Sequence, residues 1–262
     1  MKTKGAKVYL DVPIAPAEYA ENISKKYHLD FFKQSKILIR LQKNSYKAAE
    51  LIVVPSMFVC NELINIGIEK KKIIIIEFGA HKVKKYKSKI NRTNKNINFC
   101  YLGVASKRKG LLDLLKVWNS DDFKNDFLHI VGRVNTDIFG YIKQANKNSN
   151  IILHGFVNPD LPLSKSHIFV FPSWMEGSSK AVYEAMSWAL PCIVTRSSGS
   201  IIKDRYNGFL YDAGNNSKLK KLMIYLKNNK NAREEIGNKA RITINTYNWD
   251  RYTNKIYKVY EL

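Results

Sequence analysis

Residues 167–195 read HIFVFPSWMEGSSKAVYEAMSWALPCIVT, and this stretch decides the fold. Its two ends, 167–171 and 192–195, are short runs of apolar, mostly β-branched or aromatic residues, which predict buried strands. The residues between them, 180–188, predict a helix. Two short buried strands joined by a helix form a parallel pair, so the stretch predicts a βαβ unit whose sheet is covered on both faces.

The same alternation continues on both sides of this unit. Further apolar runs predict strands at 99–103, 127–131 and 151–153 and helices at 110–118 and 137–145. Leu219, Leu222, Met223 and Leu226 recur at helical spacing and predict an amphipathic helix, followed by two more helices. This alternation predicts the α/β class with a doubly wound, Rossmann-like parallel sheet, which binds ligands at the carboxyl ends of its strands.

A second, smaller set of elements precedes this domain. Strands are predicted at 7–10, 51–54 and 73–76, and helices at 17–49, with a break near Leu29, and at 58–66, where Ser56 is the N-cap. Residues 81–98 are dense in Lys, Asn and Ser and have little to bury, so they predict an exposed linker.

The composition limits the class of protein. With 45% hydrophobic residues in 262, the chain can bury a sizeable core, which excludes a disordered or collagen-like protein. Three cysteines, Cys60, Cys100 and Cys192, are too few and too far apart for a disulfide framework or zinc site. They favour a reducing, cytoplasmic setting. No apolar run reaches the roughly 20 residues that a spanning helix needs.

The net charge of +22 is typical of proteins that meet polyanions. Lysines outnumber arginines 35 to 9, however, which favours a compositional bias of the genome with solvated charged faces. The basic stretch 25–47 also contains Leu38, Ile39 and Leu41; an ordinary solvated helix face is preferred there, with an anionic membrane surface as the alternative. Nucleic acid is not an expected partner, because no base-stacking or helix-turn-helix motif is evident.

The loop 176–179, Glu-Gly-Ser-Ser, lies between a predicted strand and a predicted helix. Free backbone N–H groups at a helix start bind anions, and Gly177 lets the backbone approach a ligand, so the loop predicts a diphosphate site. Glu176 and Glu184 would point into one cleft. The alternative is that both carboxylates only complement the helix dipole.

Residues 171–186, with Phe-Pro-Ser, Glu176-Gly177 and Glu184-Ala-Met, resemble the signature of retaining glycosyltransferase family 4, whose members have the two-domain GT-B fold. The family is also called the group 1 glycosyl transferases. Further stretches that resemble it are 49–56, 99–103, Lys109-Gly110, 190–195, 198–204, 207–210 and Asn248-Trp249.

The resemblance implies roles for particular residues. Lys109 would be catalytic by neutralising developing phosphate charge, and Glu176 by holding hydroxyls of the donor sugar. Glu184 would hold the ribose hydroxyls. The remaining donor-binding positions implied by the resemblance are Gly103, the backbone of Gly177, Ser178 and Ser179 at the phosphates, and His154 and Phe156 in a loop near the base.

Three departures from the family pattern matter. Val104 stands where many members have an arginine after the glycine, so a phosphate-binding cation is absent unless Lys107 or Arg108 substitutes. Ala189 replaces a helix-ending glycine, which costs about 1 kcal/mol if the backbone is left-handed. Residues 1–80 match only part of an N-terminal domain; the chain is therefore expected to be truncated, or to have its cleft completed by a partner chain.

The expected domains are a partial N-terminal, acceptor-side domain at 1–80, the linker at 81–98, a nucleotide-sugar-binding domain at 99–245 and a returning helix at 246–262. The implied enzyme is a retaining hexosyltransferase of polysaccharide biosynthesis, cytoplasmic or peripheral at the inner membrane face. It would move a sugar from a UDP- or GDP-linked donor to a glycan or lipid-linked acceptor without a metal. The alternative is a nucleotide-sugar-binding remnant or subunit that needs a separate N-domain.

Overall fold

The computed structural model describes residues 7–30, 32, 35–80, 96–146 and 149–261. Its strands are β1 (Tyr9–Asp11), β2 (Leu51–Val54), β3 (Ile73–Ile75), β4 (Asn98–Leu102), β5 (Phe127–Val131), β6 (Ile151–Gly155), β7 (Ile168–Phe171), β8 (Cys192–Thr195) and β9 (Phe209–Tyr211). Its α-helices are α1 (Ala17–Tyr27), α2 (Lys36–Ala48), α3 (Met57–Asn65), α4 (Leu111–Trp118), α5 (Thr136–Ala145), α6 (Asp160–Lys165), α7 (Lys180–Ser187), α8 (Asn216–Asn228), α9 (Lys230–Asn245) and α10 (Trp249–Tyr260).

The strands form two parallel sheets. The smaller sheet has the order β1-β2-β3, and the larger has the order β6-β5-β4-β7-β8-β9. In the larger sheet the chain starts at β4, adds strands on one side, and then crosses to β7 on the other side. This is the doubly wound order, with its switch point between β4 and β7. The predicted fold class is therefore confirmed.

The larger sheet carries the main core. All residues of β7 and β8 are buried, as expected for central strands of a parallel sheet that helices cover on both faces. Beside β4, the ring of Phe99 meets Trp118 edge-on at a centroid distance of 5.4 Å, and Trp118 stacks on Phe123 at 5.3 Å. The free thiols of Cys60, Cys100 and Cys192 are buried.

Most predicted elements lie within two residues of the observed ones. The break predicted near Leu29 in the helical stretch 17–49 is confirmed: His28 takes a left-handed conformation (φ 52°) that ends α1, and α2 follows. The structure adds the short helix α6 and the edge strand β9, which were not predicted. Most of the predicted linker, 81–95, lies outside the described residues.

The two sheets are joined by contacts far apart in sequence. The Ser56 hydroxyl, which also caps α3, donates to the Gly177 carbonyl over 2.6 Å, and the Tyr19 hydroxyl donates to the Trp174 carbonyl over 3.1 Å. Helix α10 returns to the smaller sheet, where Val259 packs on Val53. None of the described helices combines the length and apolar character that crossing a bilayer requires.

Candidate active site

A cavity of about 1020 Å³ opens at the carboxyl ends of the large sheet, around the switch point. The loops after β4, β5 and β6 and one face of α7 line it. The wall is completed by Gly79 and Ala80, which follow β3, and by Trp249, the first residue of α10. The residues contributed by the loops and by α7 are Leu102, Gly103, Val104, Lys109, Val131, Gly132, Arg133, Asn135, Phe156, Val157, Asn158, Pro159, Asp160, Lys180, Tyr183, Glu184, Ser187 and Trp188.

Two glycines shape the floor of this cavity. Gly103 and Gly132 directly follow the neighbouring strands β4 and β5, with φ values of +141° and +130°. Residues that carry a side chain rarely adopt such values. A Cβ on Gly132 would lie 2.1 Å from the Gly103 carbonyl oxygen. Glycine at position 132 therefore lets the two loops run side by side into the cavity wall.

Lys109 reaches the cavity and is held there by an ionic network. Its ammonium lies 2.9 Å from Oε1 of Glu176 and 5.5 Å from the ring centroid of Phe171. The same Oε1 lies 3.4 Å from Nη1 of Arg108 and accepts a 2.9 Å hydrogen bond from Ser173. The Lys109 and Glu176 side chains are only 18% and 12% exposed, so their attraction is less screened than that of a surface pair.

The loop that carries Glu176 is fixed by buried polar groups. The indole of Trp174 donates to Asp113 over 2.7 Å, and the Ser197 hydroxyl donates to the Ser173 carbonyl over 2.8 Å. Burial raises the pKa of Asp113, and the indole hydrogen bond opposes that rise. These bonds hold the chain in place just before Glu176.

Only some of the predicted site residues line the cavity. Gly103, Lys109, Phe156 and Glu184 line the cavity, whereas the remaining predicted positions, Glu176, Gly177, Ser178, Ser179 and His154, are outside its lining. The roles predicted for them stay predictions.

The close approach at Gly177 is made by the N-terminal unit. A Cβ on Gly177 would lie 1.6 Å from the carbonyl oxygen of Pro13. The backbone amide of Ser179, two residues further along the chain, donates to the Ser198 carbonyl over 3.2 Å. Gly177 thus admits the chain segment after β1, and the approach of a ligand at this glycine stays a prediction.

One face of α7 meets the cavity through Lys180, Tyr183, Glu184 and Ser187. These residues are three or four positions apart, which places them on one side of a helix. The Tyr183 hydroxyl lies 2.9 Å from that of Ser178, and the Lys180 ammonium lies 5.8 Å from the ring centroid of Trp249.

The loop after β6 presents an aromatic ring to solvent at the cavity. Phe156 is 92% exposed, more than any other large apolar side chain among the described residues, so its face is open to a planar ligand. His154, two residues earlier, instead contacts His129: its Nε2 lies 2.9 Å from Nδ1 of that ring. Burial, and then the charge of Lys165, lower the pKa of His154.

Sequence reasoning missed Arg133, Lys180 and Trp249 as cavity residues. Arg133 directly follows the glycine at the end of β5, so the rule that ligands bind at carboxyl ends of strands was a usable signal. Trp249 lies in the returning helix that the resemblance implied at 246–262, but the resemblance gave this residue no role at the donor.

The sequences of known proteins identify the family. The family model for "Glycosyl transferases group 1" matches residues 82–243, more than half of the chain. An uncharacterized glycosyltransferase of Methanocaldococcus jannaschii is 29% identical over 197 residues, 73% of this chain and 54% of that protein. The UDP-Gal:alpha-D-GlcNAc-diphosphoundecaprenol alpha-1,3-galactosyltransferase of Escherichia coli is 37% identical over 78 residues, 28% of this chain and 20% of that protein.

A solved structure shows the same fold. Staphylococcus aureus TarM, in a complex that contains UDP, superposes with a TM-score of 0.78 at 19% identity, covering 99% of this chain and 52% of TarM. The chain thus spans about half the length of TarM and of the Methanocaldococcus relative. The fold predicted from the resemblance, that of the GT-B enzymes, is confirmed, and the chain belongs to the group 1 glycosyl transferases.

Proposed function

We propose that this chain carries the donor site of a retaining family 4 hexosyltransferase that moves a sugar from a UDP- or GDP-linked donor to a glycan or lipid-linked acceptor. One observation carries the proposal: Lys109, from the loop before α4, and Glu184, from α7, line one cavity at the switch point of a doubly wound sheet. A cation and a carboxylate in such a crevice suit the diphosphate and the ribose hydroxyls of a nucleotide.

Lys109 acts on the leaving group. When the bond between the sugar and the diphosphate breaks, negative charge grows on the phosphate oxygen, and a fixed ammonium stabilises this charge more strongly than the charge of the intact donor. The contact with Glu176 holds the lysine side chain in place before the reaction. Donor binding in this scheme requires no metal ion.

Glu176 retains an oxygen for the donor sugar. Its contacts with Arg108, Lys109 and Ser173 all reach Oε1, so among the described residues Oε2 is available to accept a sugar hydroxyl. The nucleotide leaves and the acceptor attacks on the same face of the sugar, which keeps the anomeric configuration.

Phe156 provides a platform for the base. Its exposed ring lies at the cavity next to Val157, and stacking on an aromatic face is tolerant of the base that is bound. The ring of Phe156 therefore does not discriminate between UDP and GDP, and a binding measurement is needed to do so.

A binding subunit is the second candidate. The chain spans about half the length of the relatives it matches, and this share favours a chain that acts together with another one. In that case it binds nucleotide sugar and gains activity when a separate chain supplies the rest of the N-terminal domain. Measurable turnover by the purified chain alone would remove this candidate.

A membrane surface is proposed as a further partner, at the inner face of the cell membrane in the polysaccharide pathway. Ile37, Leu38 and Leu41 of α2 are 70%, 57% and 56% exposed, and the exposed cations Lys36 and Arg40 lie on the same helix. Apolar side chains between basic ones are typical of helices that lie on anionic bilayers.

Calorimetric titration with UDP and GDP tests the donor site. We expect one of them to bind, and Glu184→Ala to weaken that binding about 10- to 100-fold, because a hydrogen bond to a charged group contributes about 1.5–3 kcal/mol. Glu235→Ala, which removes an exposed carboxylate from α9, is the matched control and should bind like the parent. Parental affinity in Glu184→Ala would contradict the assignment. The same affinity in EDTA is expected, and a loss there would contradict metal-free binding.

A further inference from the structure

Lys107 and Arg108 are the alternatives that the sequence offers for the cation absent at Val104. In the structure, both side chains contact other groups of the protein. The Lys107 ammonium lies 3.1 Å from Asp30, and the Arg108 guanidinium donates to the Met175 carbonyl over 2.8 Å and contacts Glu176. Neither residue lines the cavity. The diphosphate subsite therefore holds Lys109 but gains no second cation from this turn.

Backbone hydrogen bonds place Arg133 level with Val104. The Gly103 amide donates to the Val131 carbonyl over 2.9 Å, and the Ala105 amide donates to the Arg133 carbonyl over 2.8 Å. Together with the bridge between Ala105 and Val134, these bonds continue the parallel register of β4 and β5 beyond the strands. Neighbouring parallel strands lie about 4.8 Å apart, so position 133 is next to position 104.

Arg133 differs from the other cations of the cavity wall, because it has no ion-pair or ring partner among the described residues. Of the cationic side chains in the lining, Lys109 is paired with Glu176 and Lys180 lies over Trp249. Arg133 is exposed at the cavity and forms no ion pair with any described residue. A guanidinium matches two phosphate oxygens at once, which an ammonium does not.

We infer that Arg133 binds the diphosphate of the nucleotide sugar and replaces, from the loop after β5, the cation that position 104 lacks. The inference rests on the proposed function and adds a residue to its donor site. No bond is made or broken by this side chain; it contributes charge and orientation. Its contribution should therefore appear with ligands that carry phosphate and vanish with the nucleoside alone.

Titrations with a nucleoside and its diphosphate, uridine and UDP or guanosine and GDP according to which nucleotide binds, separate this role from a general loss of structure. Arg133→Ala should lower affinity for the diphosphate about 10- to 100-fold, with nucleoside affinity unchanged, because a charge-assisted bond contributes about 1.5–3 kcal/mol. Arg133→Lys should fall between parent and Arg133→Ala. Arg205→Ala, which removes an exposed arginine outside the cavity lining, should leave both affinities as in the parent.

The outcomes distinguish the inference from the function on which it rests. If the parent binds the diphosphate more tightly than the nucleoside and Arg133→Ala keeps that ratio, the inference is wrong and the donor site stands. If the parent binds none of these compounds, the proposed function fails and the inference fails with it. Equal losses in Arg133→Ala and Arg205→Ala would show only a response to net charge and would also overturn the inference.

Discussion

Ala189 ends α7 in the conformation that favours glycine. Its φ is +54°, and the amides of Ala189 and Leu190 donate to the carbonyls of Met186 and Ala185, the pattern of a Schellman cap. A left-handed alanine is strained by about 1–2 kcal/mol. We expect Ala189→Gly to raise the free energy of unfolding by about 0.5–1 kcal/mol, since added freedom in the unfolded chain offsets part of the relief.

Urea unfolding measures this change, and the same substitution inside α7 is its control. Ala185→Gly places glycine in a helix interior and in the core, so it should lower the free energy of unfolding by about 1 kcal/mol or more. A decrease of similar size in both variants would show that the strain at Ala189 is already relieved by its surroundings.

At the scale of elements, strands β5 and β6 bring His129 and His154 together. Burial, and then the neighbouring His154 and His167, lower the pKa of His129 to about 4. In the unfolded chain this pKa is about 6.5, so between these values the unfolded state binds more protons. The stabilisation is complete above pH 6.5 and is lost as the pH falls towards 4.

We expect the free energy of unfolding to fall by about 1–2 kcal/mol between pH 7 and pH 4.5 through this ring, a figure reduced for the solvent exposure of the site. His129→Gln removes the titrating group, so unfolding of this variant in urea should depend less on pH than unfolding of the parent. Identical pH slopes in the two proteins would assign the acid sensitivity to other groups.

The whole chain carries a net charge of +22, and the proposed contact with an anionic membrane would give this charge a binding partner. We expect the chain to sediment with vesicles that contain phosphatidylglycerol and not with phosphatidylcholine vesicles, and the binding to weaken in high salt. Replacing Ile37, Leu38 and Leu41 together by serine should reduce it, because their burial in the bilayer boundary is lost.

A matched surface change controls for lost apolar area. Ile242 of α9 is 67% exposed, close to the value for Ile37, and Ile242→Ser should bind vesicles like the parent. If the parent stays in the supernatant with anionic vesicles, the membrane proposal is wrong. The charge would then be explained by solvated faces.

Local pattern was sufficient for most elements. The strands at 51–54, 127–131 and 192–195 have the predicted bounds, because runs of mostly apolar residues end at Pro, Gly or polar residues there. The helix α6 was missed because Pro159 and Pro162 are typical of turns and loops, and the strand β9 was missed as well. Strand β9 exists through its pairing with β8, a contact that no local pattern encodes.

The sequence by itself determined the fold class and the parallel sheet, because these follow from periodicity and from short-range connections, and its resemblance to the family singled out Lys109 and Glu184. Only the tertiary structure decided that Glu176 pairs with Lys109 and that Arg133 enters the cavity. The Lys109 contact joins residues 67 positions apart, and it forms because packing of the strands brings the loops after β4 and β7 to one edge of the sheet. Contacts of that kind depend on strand order, and strand order is a property of the whole packed sheet.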